Sequence, residues 1–178
     1  MEALSLKMTK KVLFVLFGTL LLIPEFLGAQ LSETDSIAMS ALITEFKESI
    51  TEKDSIRFNS LFFSESVDFT GIMSKKTENS IKKNYPDFQG ISVSNHKSFI
   101  NDICKTPKKQ EEKFYNISLS SDGAIGAISF DYAFYSDGKM IQWGNEKWNL
   151  ARDGLKWLIT DVVYSIHFPN VEPPLFDK

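Results

Sequence analysis

Three Asp-Gly pairs, at 122–123, 137–138 and 153–154, divide the last third of this chain into four β-rich runs. Glycine enters positive φ without steric cost, and Asp tolerates it while hydrogen-bonding the backbone beyond, so the pair is a hairpin signal. The runs between the pairs read as strands. Residues 114–120 alternate, with Tyr115, Ile117 and Leu119 on one side. Residues 124–135, 140–150 and 155–167 come next, rich in aromatic and β-branched types. Four such runs joined by tight turns predict an antiparallel meander. The segment from Pro169 through Pro173 and Pro174 cannot continue a central strand, because proline offers no ladder donor.

The first part of the chain has a different period. Residues 32–35 are of helix-capping types, and Met39, Leu42, Ile43, Phe46 and Ile50 then recur at spacings of three and four. That is one apolar stripe of a helix over about 36–52. Asp54 caps a second, shorter helix carrying Ile56, Leu61 and Phe62. Val67 and Phe69 alternate with Asp68 and Thr70 as a short strand. Residues 74–90 are polar, broken by Pro86, and read as loop. Ser94 or Asn95 caps a further helix that carries Phe99, Ile100, Ile103 and Cys104 on one face and stops at Thr106-Pro107. Helices first and a meander last define an α+β domain, with N-terminal helices packed on a curved antiparallel sheet.

The N-terminus reads as an address. Lys7, Lys10 and Lys11 precede an apolar run over 12–23, Pro24 breaks it, and Leu27-Gly28-Ala29 places small residues ahead of Gln30. The run suits the core of a signal peptide and is short for a membrane span. Met8 is an alternative start, since 8–29 is already a complete signal. The chain thus divides into a cleaved signal peptide over 1–29, one domain over 30–168, and a Pro-containing C-terminal tail over 169–178. Cleavage after Ala29 sends the product to the periplasm or the exterior. After cleavage nothing holds the chain to a membrane. Seventeen basic residues then face twenty-one acidic ones, and the basic pairs are scattered. That balance gives no support for nucleic acid or an anionic membrane as partner. Cys104 is the one cysteine, which excludes an internal disulfide and a thiolate zinc site.

The stretches LFFSESVDF and KWNLARDGLKWLITDVVYS, set in this order of helices and strands, resemble the nuclear transport factor 2-like superfamily. Its SnoaL-like and ketosteroid-isomerase-like branches are the relevant ones. The resemblance is sharpest from Trp148 to Trp157, a W-x-L-x-x-x-G-x-x-W pattern followed by Ser165. It implies a cone-shaped, cystatin-like roll with a pocket between helices and sheet, commonly dimeric. Members include isomerases, cyclases and dehydratases as well as binding domains, so the fold alone does not choose a function. Many members place a His two residues before that serine and another two residues earlier. Here those positions are Val163 and Asp161, which argues against histidine acid–base chemistry.

Two-residue turns at 137–138 and 153–154 would set Ser129 across from Glu146, and Glu146 across from Asp161. Trp148 and Ile159 would share the adjacent row, and Asp131 and Val163 the row on the other side. The candidate pocket is then Ser129, Asp131, Glu146, Trp148, Trp157, Asp161 and Ser165, with Asp131 and Asp161 as candidates for a catalytic base. Like charges in a dry pocket raise one another's pKa. The plainer expectation is that these carboxylates are exposed or paired with Lys and Arg. No histidine joins them, so no metal is expected; His96 and His167 read as solvent-facing or capping. Phe130, Tyr132, Phe134, Ile141, Trp143, Val162, Tyr164 and Ile166 would line the opposite face. One of the two faces would pack the helices around a pocket and the other would be a dimer surface or second core, and the sequence does not decide which is which. Ser165 has no histidine to activate it. Asn116-Ile117-Ser118 matches a glycosylation acceptor but falls within a strand.

The sequence therefore reads as an exported, homodimeric domain that binds a small apolar or amphipathic ligand, or a protein, without catalysis and without a cofactor. The alternatives are an isomerase or cyclase using a pocket carboxylate as base, and a purely structural dimerisation module whose pocket is filled by side chains. The export reading predicts a mature N-terminus at Gln30. The intact mass of the secreted form checks it, and a product that keeps residues 12–23 in the membrane would contradict it.

Overall fold

Ser32 accepts a hydrogen bond from the Asp35 N–H at 3.0 Å and starts helix α1, Glu33–Glu52. The predicted stripe of Met39, Leu42, Ile43, Phe46 and Ile50 is buried along it. Lys53, with φ of 57°, ends the helix. Asp54 caps the short helix α2, Ser55–Asn59. Here the apolar assignment changes: Phe58 is fully buried, whereas Ile56 is 84% exposed. The computed structural model describes residues 31–174 and 176, and the signal expected over 1–29 lies outside the described residues. Among the described residues no helix is long and apolar enough to cross a membrane.

Strand β1, Asp68–Met73, is followed by helix α3, Lys75–Lys82, which Ser74 caps within the segment expected to be loop. Strand β2, Ile91–Asn95, was also not anticipated, because its exposed serines and apolar residues carry no buried alternation. It is an edge strand paired only with β1. Helix α4, His96–Lys105, is capped by Asn95. The meander then runs as β3 Gln110–Ser121, β4 Ile125–Ser136, β5 Lys139–Asp153 and β6 Lys156–Ile166. Strand order is β2-β1-β6-β5-β4-β3. The meander is antiparallel as expected, but β1 runs parallel to β6, so the six-stranded sheet is mixed. The α+β class, with helices packed on the sheet, holds.

All three Asp-Gly pairs turn the chain between strands. Asp137 and Gly138, with φ of 50° and 74°, form the two-residue turn from β4 to β5. At the next hairpin the turn slides one residue: Asp153 pairs with Lys156, and Gly154-Leu155 make the turn. Beyond each turn a strand carries one extra residue. Ile141 is extra in β5, Thr160 in β6, and a third bulge interrupts β3 at Asn116-Ile117. Asn116 adopts φ of 52°, a conformation Asn tolerates better than most residues. Each bulge reverses the inside–outside phase of the residues beyond it.

Phe46 of α1 sits at the middle of the core, with ring centroids 4.5 Å from Trp148 and 4.9 Å from Phe58. His96 is 1% exposed rather than solvent-facing. Its Nδ1 accepts from the Val67 N–H at 3.1 Å, and its ring stacks on Phe62. The tail is fastened to the domain: the Trp143 indole donates to the Glu172 carbonyl at 2.7 Å and stacks on His167. Ser74 donates to the Glu172 carboxylate, which also lies 3.6 Å from Lys76.

Asp35 anchors the start of α1 to the far end of the sheet. Its carboxylate, on a residue only 4% exposed, accepts from Arg152 at 2.9 Å, Ser121 at 3.1 Å and the Trp157 indole at 3.2 Å. Burial pushes the Asp35 carboxyl up. Hydrogen bonds from Ser32, Ser121 and Trp157, with the Arg152 charge, outweigh it and hold the pKa below the ordinary value. A depressed pKa contributes stability at neutral pH that is lost as pH falls through the folded-state value. Asp35→Asn is therefore expected to lower the denaturation midpoint clearly at pH 7, because it removes the charge that Arg152 meets. The gap to the unsubstituted protein should persist to pH 5 and close only in stronger acid, as read by urea unfolding.

Candidate functional site

The bulges decide what the helix-facing side of the sheet carries. Four rows cross it: Glu112, Phe134 and Gln142; Phe114, Tyr132 and Gly144; Phe130, Glu146, Tyr164 and Gly71; Ile128, Trp148, Val162 and Phe69. Above the first three rows, a cavity of about 220 Å³ lies between α1, α4 and the sheet. It is lined by Phe46, Phe69, Phe99, Tyr132, Phe134, Ile141, Gln142 and Tyr164, together with Glu112 and Glu146. Ile141 and Gln142 are neighbours in sequence yet both reach it, because Ile141 is the bulged residue. Ile141 is exposed and Phe134 half-buried, and the two form the rim. Phe99 and Phe134 also border a shallower surface groove beside β2 and α4.

Of the residues predicted for the pocket, only Glu146 lines the cavity. Ser129 pairs with Lys147, Asp131 with Asn145, and Asp161 with Asn149, all on the opposite face of the sheet. Asp131 accepts from the Asn116 amide at 2.7 Å, and Asp161 from the Asn149 amide at 3.2 Å. Both residues are half-buried, and their partners are asparagine amides rather than the Lys or Arg that the plainer reading expected. Ser165 also lies outside, its hydroxyl accepting from the Asn145 N–H at 2.9 Å. Trp148 is beneath the pocket as core, and Trp157 belongs to the Asp35 cluster. The correction has one cause. The predicted register had no bulges, and a one-residue slip moves a side chain through the sheet. Phe130, Tyr132, Phe134, Val162 and Tyr164, assigned to the other side, share the face of Glu146. Tyr132 is 1% exposed inside the domain, whereas Trp143, on the other face, stays half-buried with its indole bonded to the tail at Glu172.

The sequence reading did not single out Glu112 or Gln142, and it placed Tyr132 and Tyr164 on the other face of the sheet. Glu112 had one usable signal: it precedes the inward Phe114 by two residues, which places both on one face. The bulge at Asn116-Ile117 obscured that phase, because Tyr115 turns outward while Leu119 packs toward the core.

The two glutamates differ in support. Glu146, 4% exposed, accepts from the Trp148 indole at 2.5 Å. Glu112 is 5% exposed, and among the described residues no group hydrogen-bonds its carboxyl. Burial pushes the Glu146 carboxyl up to about 7, against the opposing effect of the Trp148 hydrogen bond. Burial, reinforced by the charge of Glu146, pushes Glu112 well above the carboxylate range. Tyr132 donates to the Ser165 carbonyl at 2.8 Å and accepts from the Gln142 amide at 2.7 Å. Its hydroxyl is thus locked, and burial raises its pKa far up. Burial pushes the Tyr164 hydroxyl to about 12, with the two glutamates adding to the effect. Gly71 leaves room for the Tyr164 ring, which a Cβ would meet at 2.8 Å. At Glu146 the site can offer a carboxyl in either protonation state near neutral pH, within an aromatic enclosure.

No protein-family model and no curated protein matches the sequence. Solved structures do match the fold. A cystatin-like-fold protein of unknown function from Nostoc punctiforme is 10% identical, with a TM-score of 0.54 over 78% of this chain and 95% of that one. A proposed dehydratase of the nuclear transport factor 2-like family from Streptomyces avermitilis is 13% identical, with a TM-score of 0.56 over 76% and 97%. A nuclear transport factor 2-like protein with a cystatin-like fold from Novosphingobium aromaticivorans is 8% identical, with a TM-score of 0.52 over 74% and 81%. The chain therefore has the nuclear transport factor 2-like, cystatin-like fold.

The carboxyl pair sets a pH dependence opposite to that of Asp35. A raised folded-state pKa means that the neutral acid is the form the fold favours. That stability is present below the ordinary glutamate range and is lost as pH rises through about 7. Glu146→Gln removes the penalty of ionisation while keeping an acceptor for Trp148. Relative to the unsubstituted protein, the variant should gain about 1–3 kcal/mol on going from pH 5 to pH 8. Urea unfolding at the two pH values reads the difference, and an equal gap at both would contradict it.

Proposed function

We propose that this protein is an exported binding domain that takes a small amphipathic ligand into the cavity between its helices and its sheet. The observation that carries this reading is Glu112, a buried acidic residue in the lining of a preformed aromatic cavity, whose carboxyl has no hydrogen-bond partner among the described residues. Burying such a group costs several kcal/mol unless something meets it. A core selected for stability alone would replace it with an apolar side chain. The cavity volume, about 220 Å³, is small. Drug-sized ligands occupy clefts of roughly 300 Å³ and upward. The ligand is accordingly compact, with an apolar body and one polar end. The open cavity also favours a ligand site over a purely structural module, which would have that space filled by side chains. Export and self-association remain part of the proposal on the sequence grounds given above.

A second reading, general acid–base catalysis, has one observation in its favour. Glu146, pushed up to about 7, could give or take a proton at physiological pH, beside a second acid and a tyrosine. The proposed dehydratase among the structural neighbours is consistent with it. In this reading the base is Glu146 or Glu112, not Asp131 or Asp161, which lie across the sheet.

Phenol is a suitable probe of the binding reading. Titrated into the labelled domain, it should shift NMR signals of Phe99, Tyr132, Phe134 and Tyr164 together with one dissociation constant. Phe134→Trp, which narrows the rim, should weaken that constant about tenfold with little change in Tm. Shifts confined to the outer face of the sheet would refute a ligand cavity.

A further inference from the structure

The cavity combines two acids with no base. None of its lining residues is Lys, Arg or His. Elsewhere the same chain treats a buried carboxylate differently: Asp35 is met at 2.9 Å by the Arg152 guanidinium. Even the more exposed glutamates of α1, Glu45, Glu48 and Glu52, gather on Arg57. Glu112 and Glu146 are the exception: both are buried in the lining of one cavity, and among the described residues neither forms a salt bridge, although Glu112 also borders a separate surface groove with Lys47.

The hydrogen-bonding capacity left open is mainly acceptor capacity. The Tyr132 hydroxyl is spent on the Ser165 carbonyl, and the Gln142 amide donates to Tyr132. On lining residues, the Glu112 carboxyl, the second oxygen of Glu146, the Gln142 carbonyl and the Tyr164 hydroxyl have no hydrogen-bond partner among the described residues; all four can accept, and the tyrosine can also donate. Phe46, Phe69, Phe99 and Phe134 supply ring faces, whose negative quadrupole attracts a cation. A ligand with several N–H donors and a positive charge answers every one of these features. An anion adds a further negative charge to an acidic lining, and a neutral alcohol brings no counter-charge to a carboxyl that ionises.

We propose that the cavity takes a small protonated primary amine, its ammonium met by the acidic lining that Glu112 and Glu146 supply and its apolar body against the phenylalanine rings. The inference rests on the reading of the cavity as a ligand site. It adds the charge and donor character of the ligand, which that reading leaves open. A monocation brought to this lining favours the ionised forms of the two carboxyls, so binding displaces a proton from the pair to solvent.

Calorimetry on the mature domain at pH 7.5 tests this with three probes of matched shape: 2-phenylethylamine, 2-phenylethanol and phenylacetate. The amine should bind roughly tenfold or more tighter than the alcohol, since charge-assisted hydrogen bonds exceed neutral ones. Phenylacetate should bind weakest. Repeating the amine titration in two buffers of different ionisation heat should show net proton release. Glu112→Gln should abolish the preference for amine over alcohol, and Glu146→Gln is a second variant should the first fail to fold. Asp131→Asn, on the outer face, should leave the preference intact. An alcohol or acid that binds as tightly as the amine would overturn the amine inference while leaving the ligand cavity standing. Failure of all three probes to bind would overturn both.

Discussion

One extra residue in β5, at Ile141, and one in β6, at Thr160, decide which side chains of this sheet face the helices. Every other feature of the site depends on that register. It moves Glu146 from a row with Ser129 and Asp161 to a row with Phe130 and Tyr164. It places Trp148 under Phe46, where α1 crosses the sheet, and it brings Gln142 within reach of the Tyr132 hydroxyl. A sheet without bulges would put Asp131 and Asp161 in the interior and expose the aromatic residues. The bulges thus convert an alternation that is ambiguous by itself into one inside and one outside.

The interior that results holds two kinds of buried carboxylate, and the contrast is informative. Asp35 has a full set of partners, and its ionised form is stabilised by Arg152, Ser121 and Trp157. It behaves as a fastener between α1 and the hairpin of β5 and β6. Glu112 and Glu146 share an aromatic enclosure in which only one of them receives a hydrogen bond, and their ionised forms are disfavoured. The first arrangement strengthens the fold at neutral pH. The second weakens it there, and such a local deficit is characteristic of sites that meet a ligand or a proton.

The aromatic residues account for how the domain sustains that deficit. Phe46, Phe58, Phe114, Phe130 and Trp148 pack as tilted, stacked and edge-on rings. Their centroids lie 4.0 Å apart for Phe114 and Phe130, and 5.8 Å apart for Phe114 and Trp148. Together with the α1 stripe they close the core around the cavity floor. The tail adds cover on the outer side, where Glu172 joins Ser74, His167 and the Trp143 indole. Apolar side chains that a sheet-face tally would count as contact surface are therefore used within the chain.

What the sequence determined alone was set by local chemistry. The Asp-Gly pairs turn the chain because glycine accepts positive φ. The spacing of Met39, Leu42, Ile43, Phe46 and Ile50 makes α1 and orients it, and capping by Ser32, Asp54 and Asn95 starts three helices. From these come the α+β class and the helices-then-meander order. Where the local signal was weak, tertiary structure decided. Helix α3 forms in a polar stretch behind the Ser74 cap, and β2 exists because β1 offers it an edge. A bulge has no sequence mark comparable to Asp-Gly, since it is the partner strand that leaves a residue unpaired. For that reason the face of Asp131, Glu112, Glu146 and Asp161, and with it the location of the site, belonged to the assembled sheet.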